Sequence, residues 1–274
     1  MSSYLFSPAN VSKNLIKGLN SDTFAMIPDL EDSVPLEIKS NALNNLIDFI
    51  NNNDLNNKII YPRIHNSDDN TWIKEQISKL SVLNINGLVI PGVNDPKSFS
   101  KLYNLIKKYN NNLEIIPLIE SVEGLDNMKD LIRGFNLNII SFGKYDFSLN
   151  LNIDPELQSS LIQYAKQKFA FTALANNCIP IDTPELNLSD KKKFESICIK
   201  SNQIGFKGKY ASHPDQISII NKCFNNIFFK EDEIKEIINE YEKLSSKGIG
   251  AFKYNNNIID LPVYLNLKRK YKNI

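Results

Sequence analysis

Short apolar, β-branched runs recur along the chain with amphipathic stretches between them, and this alternation predicts strands and helices in turn. Strands are predicted at residues 4–6, 24–28, 59–63, 87–90, 114–119, 139–142, 179–182 and 208–212. Their starts lie about 29 residues apart, close to the ~31 that each unit of a ~250-residue (β/α)8 barrel needs. The stretch 38–51 puts Leu43, Leu46, Ile47 and Ile50 on one helical face, and 98–109 does the same with Leu102, Leu105 and Ile106. The longest helix is predicted at 157–176, with Leu161, Ala165, Phe169 and Ala173 on its apolar stripe. Alternating strands and helices give a parallel sheet with right-handed crossovers, and eight units favour closure. An open doubly wound sheet would want a glycine-rich phosphate turn after an early strand, which Phe6-Ser7-Pro8-Ala9-Asn10 does not supply.

The expected fold is therefore α/β, a (β/α)8 TIM barrel with a C-terminal helical or lid extension. The boundary is placed at 228/229, giving a catalytic barrel over 1–228 and a tail over 229–274. In the tail, a charged helix at 230–246 precedes a glycine- and asparagine-rich stretch at 248–257. Ile258-Ile259-Asp260-Leu261-Pro262 then leads into a short basic helix. Such a segment packs as a tail or reaches a neighbouring subunit.

Charge removes whole classes of function. Lysine plus arginine (32) nearly balances aspartate plus glutamate (31), so no strong field attracts nucleic acid or an anionic membrane. The N-terminus has no basic and apolar leader pattern, and no window approaches a membrane span, so the expected compartment is the cytoplasm. Cys178, Cys198 and Cys223 have no metal-ligand spacing and read as reduced, buried thiols.

Barrel chemistry sits where strands end. The predicted ends carry Asp29-Leu30-Glu31-Asp32, Arg63, Glu120, Gly143-Lys144-Tyr145-Asp146, Asp182 and Ser212-His213. Carboxylates gathered on one rim repel one another unless a cation lies among them. Oxygen-only donors suit Mg2+, whereas zinc would want histidine or cysteine, and the chain has only His65 and His213. Glu120 and Asp146, one strand–helix unit apart, are the expected metal ligands.

At these residues the sequence resembles the citrate lyase β-subunit and malyl-CoA lyase family. The resemblance rests on Leu5-Phe6-Ser7-Pro8-Ala9-Asn10, on Asp29-Leu30-Glu31-Asp32-Ser33-Val34-Pro35 with Lys39, and on Arg63-Ile64. Pro117-Leu118-Ile119-Glu120-Ser121 and Ser141-Phe142-Gly143-Lys144-Tyr145-Asp146 carry it further. Gly205-Phe206-Lys207-Gly208-Lys209 with His213-Pro214-Asp215-Gln216-Ile217, and the 258–262 segment, complete it. It implies a trimeric or hexameric barrel with Mg2+ that cleaves carbon–carbon bonds of β-hydroxyacyl thioesters. Its partners would be a 2-oxo or hydroxy acid and coenzyme A or a carrier thioester.

The resemblance assigns Glu120 and Asp146 to the metal and Arg63 to catalysis and to the substrate's oxygens. Glu31 and Asp32 would join the catalytic set by orienting metal-bound water and Arg63, with Asp29 and His65 near the substrate, and Asp260 as an acid or base supplied by a neighbouring subunit. Simpler readings stand beside these: a salt bridge from Arg63 to Asp29 or Glu31, a helix cap at Asp32, a turn at Asp260, a solvated loop for His65, a structural His213 and a solvated face at Lys191–Lys193. The chain also departs from the family at positions that carry positive charge. The N-terminal arginine has become Ser2 or Ser3, the strand-four lysine is Gly92, and the arginine of a helix start is Leu43. These losses weaken the case for a standard acyl-CoA substrate and bring in a smaller hydroxy or oxo acid or a carrier-bound acyl group as alternatives. A malyl-CoA-type thioesterase would share the site, whereas a non-catalytic subunit would need none of these side chains.

Overall fold

The computed structural model describes residues 2–67, 69–155, 159–224, 231–255 and 257–271. Eight parallel strands, β1 (Ser3–Pro8), β2 (Ala25–Asp29), β3 (Ile59–Ile60), β4 (Gly87–Ile90), β5 (Glu114–Ile119), β6 (Ile139–Phe142), β7 (Ile179–Asp182) and β8 (Gly208–Ala211), form one sheet in the order β3-β2-β1-β8-β7-β6-β5-β4. The helices that follow are α1 (Ser12–Leu19), α2 (Lys39–Asn52), α3 (Asn70–Leu80), α4 (Pro96–Tyr109), α5 (Val122–Phe135), α6 (Lys144–Asn150), α7 (Ser160–Ala175), α8 (Lys191–Gln203) and α9 (Ile217–Phe224). The expected (β/α)8 barrel is the fold observed.

β3 is shorter than the run predicted for it because Pro62 has no N–H to offer the ladder. Pairing resumes one residue later. Arg63 bridges both Asp29 and Val89, and Val89 N donates to Pro62 O at 2.9 Å while Ile64 N donates to Val89 O at 3.1 Å. Those bonds close the gap between the two end strands of the sheet.

Strand alternation divides the core into two layers. Tyr4, Ile27, Tyr61, Val89, Ile116, Leu118, Ile181 and Tyr210 fill the barrel interior. Alternate residues such as Leu88, Ile90, Ile115, Ile119 and Ile140 face the helices. Caps set where several helices begin: Asp69 accepts from the backbone of Thr71 and Trp72, Asp95 from Lys97 and Ser98, and Ser121 from Gly124. The stripe on α7 differs in one position. Ala165, Phe169 and Ala173 are buried, but the first turn buries Ile162, and Leu161 is exposed. Apolar residues lie on both sides of this helix, with Tyr164, Phe171 and Leu174 also exposed, so the direction of its inner face is left to the packing.

The chain separates into two compact units, Met1–Asn225 and Asn226–Ile274. The expected boundary at 228/229 falls in 225–230, outside the described residues. The second unit is a helix, α10 (Glu231–Ser245), an antiparallel hairpin of β9 (Phe252–Tyr254) and β10 (Asn257–Ile259), and a helix, α11 (Leu261–Tyr271). It has its own core of Ile234, Ile237, Tyr241, Ile259, Tyr264 and Leu267, with Tyr241 and Tyr264 stacked at 4.3 Å. No helix among the described residues is long and apolar enough to cross a membrane.

Candidate active site

The sequence of β2 ends the strand with an acid, and its backbone wraps back to hold that acid still. Asp29 Oδ1 accepts from Glu31 N at 3.0 Å, and Oδ2 accepts from Ser33 N at 3.1 Å and Ser33 Oγ at 2.5 Å. The same two oxygens take a bidentate fork from Arg63, Nε at 2.6 Å and Nη2 at 2.8 Å. Asp29 is 1% exposed and Arg63 7%. Arg63 Nη1 then reaches Glu31 and Asp32, each at 3.0 Å. Its guanidinium carbon lies 4.7 Å from the centre of the Phe6 ring at the end of β1, so four sides of the group are fixed. Burial alone would lower the pKa of Arg63, but Asp29, with Glu31 and Asp32, outweighs it and holds the group charged.

Lys39 secures the loop from behind. Buried at the start of α2, its ammonium donates to the carbonyls of Leu30 (3.0 Å), Glu31 (2.6 Å) and Val34 (3.0 Å). Three carbonyls match the three donors of an ammonium, and this fixes the path that aims Glu31 and Asp32 at Arg63. Asp32 makes no helix cap here. Its side chain is largely exposed and turned to Arg63, so the ion-pair reading of Arg63 is realised with all three acids.

Glu120 follows β5 directly. Its Oε2 accepts from Gly92 N at 2.9 Å, and Gly92 has φ of +64, a conformation that favours glycine. The position where the family's lysine is replaced thus supplies a backbone donor to the candidate metal ligand. On its other side Glu120 packs on Gly143, where an added Cβ would stand 2.6 Å from Glu120 Cγ. Asp146 lies in the first turn of α6, on the neighbouring strand–helix unit. Replacing Gly143 by alanine is expected to push Glu120 off its line and weaken Mg2+ affinity by roughly 10–100-fold, the scale of disturbed ligand support. Thermal stability should change much less, and calorimetric titration with Mg2+ checks both points.

The acids interact through space as an uncompensated set. Burial, then Asp146, raises the pKa of Glu120 to about 8 against the pull of Arg63. Burial, with Glu120, Asp32 and Asp29, raises Glu31 to about 9. Asp146 is also raised, by partial desolvation and then by Asp32. One arginine already shared by three acids leaves Glu120 and Asp146 short of positive charge. A divalent cation fits that deficit, and an all-oxygen donor pair fits Mg2+ with water or substrate completing its shell. Among the described residues no group of three or more His, Cys, Asp or Glu converges to hold an ion.

Other expected site residues are placed differently. His65 accepts from Trp72 Nε1 through Nδ1 at 3.1 Å, and its backbone is tied to Gln76 on both sides (2.8 and 2.9 Å). Burial, then Lys39, depresses its pKa, so the ring is a neutral acceptor beside the rim. His213 accepts from Asp215 N and opens a short 3-10 turn at Pro214–Gln216. Asp182 does not face the rim. It points outward from β7, fully buried, to Lys166, Lys209 and Ser201. In the second unit Asp260 caps α11, its Oδ1 accepting from Val263 N at 3.1 Å.

The fold and rim thus define an α/β-barrel protein whose strand ends gather acids around one arginine. The model of the HpcH/HpaI aldolase/citrate lyase family matches residues 2–214, and the chain belongs to that family. It is similar to the L-malyl-CoA/beta-methylmalyl-CoA lyase of Rhodobacter capsulatus, 27% identical over 285 residues spanning 94% of this chain and 89% of that one. The mitochondrial citramalyl-CoA lyase of Rattus norvegicus is 25% identical over 281 residues, 94% of this chain and 81% of its own. Among solved structures, RipC from Yersinia pestis superposes with a TM-score of 0.68 at 25% identity, covering 83% of this chain and 96% of its own. The protein CitE from Mycobacterium tuberculosis, in complex with magnesium, acetoacetate and coenzyme A, shares the fold at a TM-score of 0.76 and 17% identity, with 99% and 98% covered.

Proposed function

We propose that this chain is a Mg2+-dependent carbon–carbon lyase that cleaves a β-hydroxy acid or its thioester and releases a 2-oxo acid. The observation that carries the reading is the placement of Arg63, locked by Asp29, Glu31 and Asp32 beside Glu120 and Asp146. The barrel architecture does not itself call for acids gathered on an arginine at the strand ends, and a preset cation beside an acid pair is what an oxyanion-forming reaction uses. Glu120 and Asp146 would hold Mg2+, which supplies Lewis acidity and a template for the acid's oxygens.

In the cleavage direction the hydroxyl loses its proton and its C–O bond becomes the carbonyl of the oxo acid. The carbon–carbon pair moves to the acyl fragment as an enolate, and a proton then returns to that carbon. Arg63 orients the carboxylate and stabilises negative oxygen as it develops. Asp29 acts through Arg63, since both its oxygens are engaged. Glu31 and Asp32 hold the same fork from the solvent side, and His65 borders the acid's position. Asp260, from a neighbouring copy in a trimer or hexamer, exchanges the proton. The positions where the resemblance expects a cation offer none to the thioester half: Leu43 and Ser3 are buried, and Ser2 is buried with its hydroxyl on Asn221. The R. capsulatus and rat relatives, both lyases of CoA esters by name, support an acyl-CoA or carrier thioester there.

The test is incubation with Mg2+ and malyl-CoA, citramalyl-CoA, citryl-CoA and free hydroxy acids. Release of a 2-oxo acid is expected, whereas free thiol without an oxo acid would point to a thioesterase. No turnover on any of them would overturn both readings. Asp260→Ser separates capping from proton transfer, because serine also caps helices. Loss of turnover at unchanged melting temperature is expected, and full activity would exclude Asp260 from the chemistry.

A further inference from the structure

Between α7 and α8 the helical ring opens into a cavity of about 320 Å³. α7 packs on α5 and α8 on α9, and the gap between them runs down to the outward face of β7. At its floor lies a buried charge cluster with more cations than anions. Lys166 pairs with Asp182 at 2.9 Å, Lys209 with Asp182 at 2.8 Å and with Glu185 at 3.7 Å, and Lys144 with Glu185 at 3.0 Å. These three lysines and two carboxylates are all 9% exposed or less. Buried charge is costly unless matched, and one positive charge in this set has no carboxylate of its own. Lys166 lines the cavity, and burial holds its pKa below the ordinary lysine range. Lys209 feels the same desolvation, but Asp182 and Glu185 together outweigh it and its pKa is raised.

The walls add to the imbalance. Lys193 and Lys200 from α8 face the cavity against a single acid, Asp190. Lys193 belongs to a run of three lysines in the first turn of α8, and that turn has no acidic residue. Cations at a helix N-terminus work against the dipole, and the acid set against them there is the N-cap Asp190, which accepts from Lys193 N. Gln163 and Asn187 supply further polar groups, and Ile162, Phe194 and Ile197 give an apolar side. The volume is that of a small-molecule site.

We infer that the α7–α8 cavity is a second ligand site, separate from the Glu120–Asp146–Arg63 rim, that takes a small organic or inorganic anion. A carboxylate or phosphate there would balance the one surplus positive charge of the three-lysine, two-carboxylate cluster, with Lys166 at the floor and Lys193 and Lys200 at the mouth. Lys144 opens the helix that carries Asp146, so an occupant would sit against an element of the rim. The site does not depend on the lyase reading.

The experiment is calorimetric titration of the full chain, in EDTA, with inorganic phosphate and separately with succinate. Saturable binding of at least one is expected at a dissociation constant of about a millimolar, and the tighter of the two identifies the anion class. Lys193→Glu with Lys200→Glu changes only exposed residues and should weaken binding about tenfold, equivalent to ~1.4 kcal/mol. The same charge change on α1, Lys13→Glu with Lys17→Glu, should leave it within about twofold. Absence of saturable binding for both anions overturns the site, as does equal weakening by the two double variants.

Discussion

Glu120→Gln is expected to abolish Mg2+ binding and to lower turnover by about 10²–10³-fold, the scale of losing one preset electrostatic contact to the reacting oxygens. Glutamine keeps the shape and can still accept from Gly92 N, so the backbone around Gly143 should hold. The charge that would hold the ion is gone. The metal-free protein should show a linked pH effect. With its pKa raised from 4.5 to about 8 in the fold, Glu120 keeps its proton in the folded chain where the unfolded chain has lost it. Stability therefore falls as pH rises through that window, and the loss is complete above about 8. Mg2+ requires the ionised form, so its stabilising effect should grow over the same range. Melting temperatures with EDTA and with Mg2+, from pH 5 to 9, check this. A Mg2+ response that is flat with pH, or one retained by Glu120→Gln, would remove Glu120 from the metal site.

Arg63→Met should be the most destabilising single change at the rim. It strands Asp29, 1% exposed, without the cation that offsets its burial; losing one partner of such a pair costs about 3–5 kcal/mol. For a unit of this size that corresponds to a fall in melting temperature of roughly 10 °C. Pairing it with Asp29→Asn should recover part of the stability and none of the activity, because the fork that would orient the acid is still absent. Arg63→Lys keeps a charge but not the two parallel bonds to Asp29, and should lose turnover while retaining more stability. Urea unfolding and steady-state turnover on these variants give the answer. A Met variant that melts within about 2 °C of the parent would mean that the fork contributes little to the fold.

These residues differ in how far the sequence announces them. The strand ends were legible because β-branched runs stop at Asp29, Glu120 and Phe142, and a barrel confines chemistry to such ends. Arg63 was readable as a rim residue, and its ion pairs with Asp29 and Glu31 were among the local readings. That the fork would also catch Asp32 and rest on Phe6 depends on three strands being brought side by side. Gly92 read as a lost lysine. Only the left-handed turn shows that its N–H is directed at Glu120. Gly143 read as part of a motif, and only the packing of β5 against β6 shows that a side chain there would strike Glu120.

Asp182 marks the limit most clearly. Along the chain it resembles the other terminal acids, yet one step of strand alternation turns it outward, into the helix layer and against Lys166 and Lys209. Local pattern alone determined the eight strands, the helices between them and the rim on which acids would gather, because periodicity and chain punctuation are properties of neighbouring residues. Tertiary structure decided which acids share the arginine, which acid is buried with lysines instead, and that α7 and α8 leave a charged cavity between them. Those outcomes turn on distances of a few ångströms between residues far apart in the chain, set by register and packing.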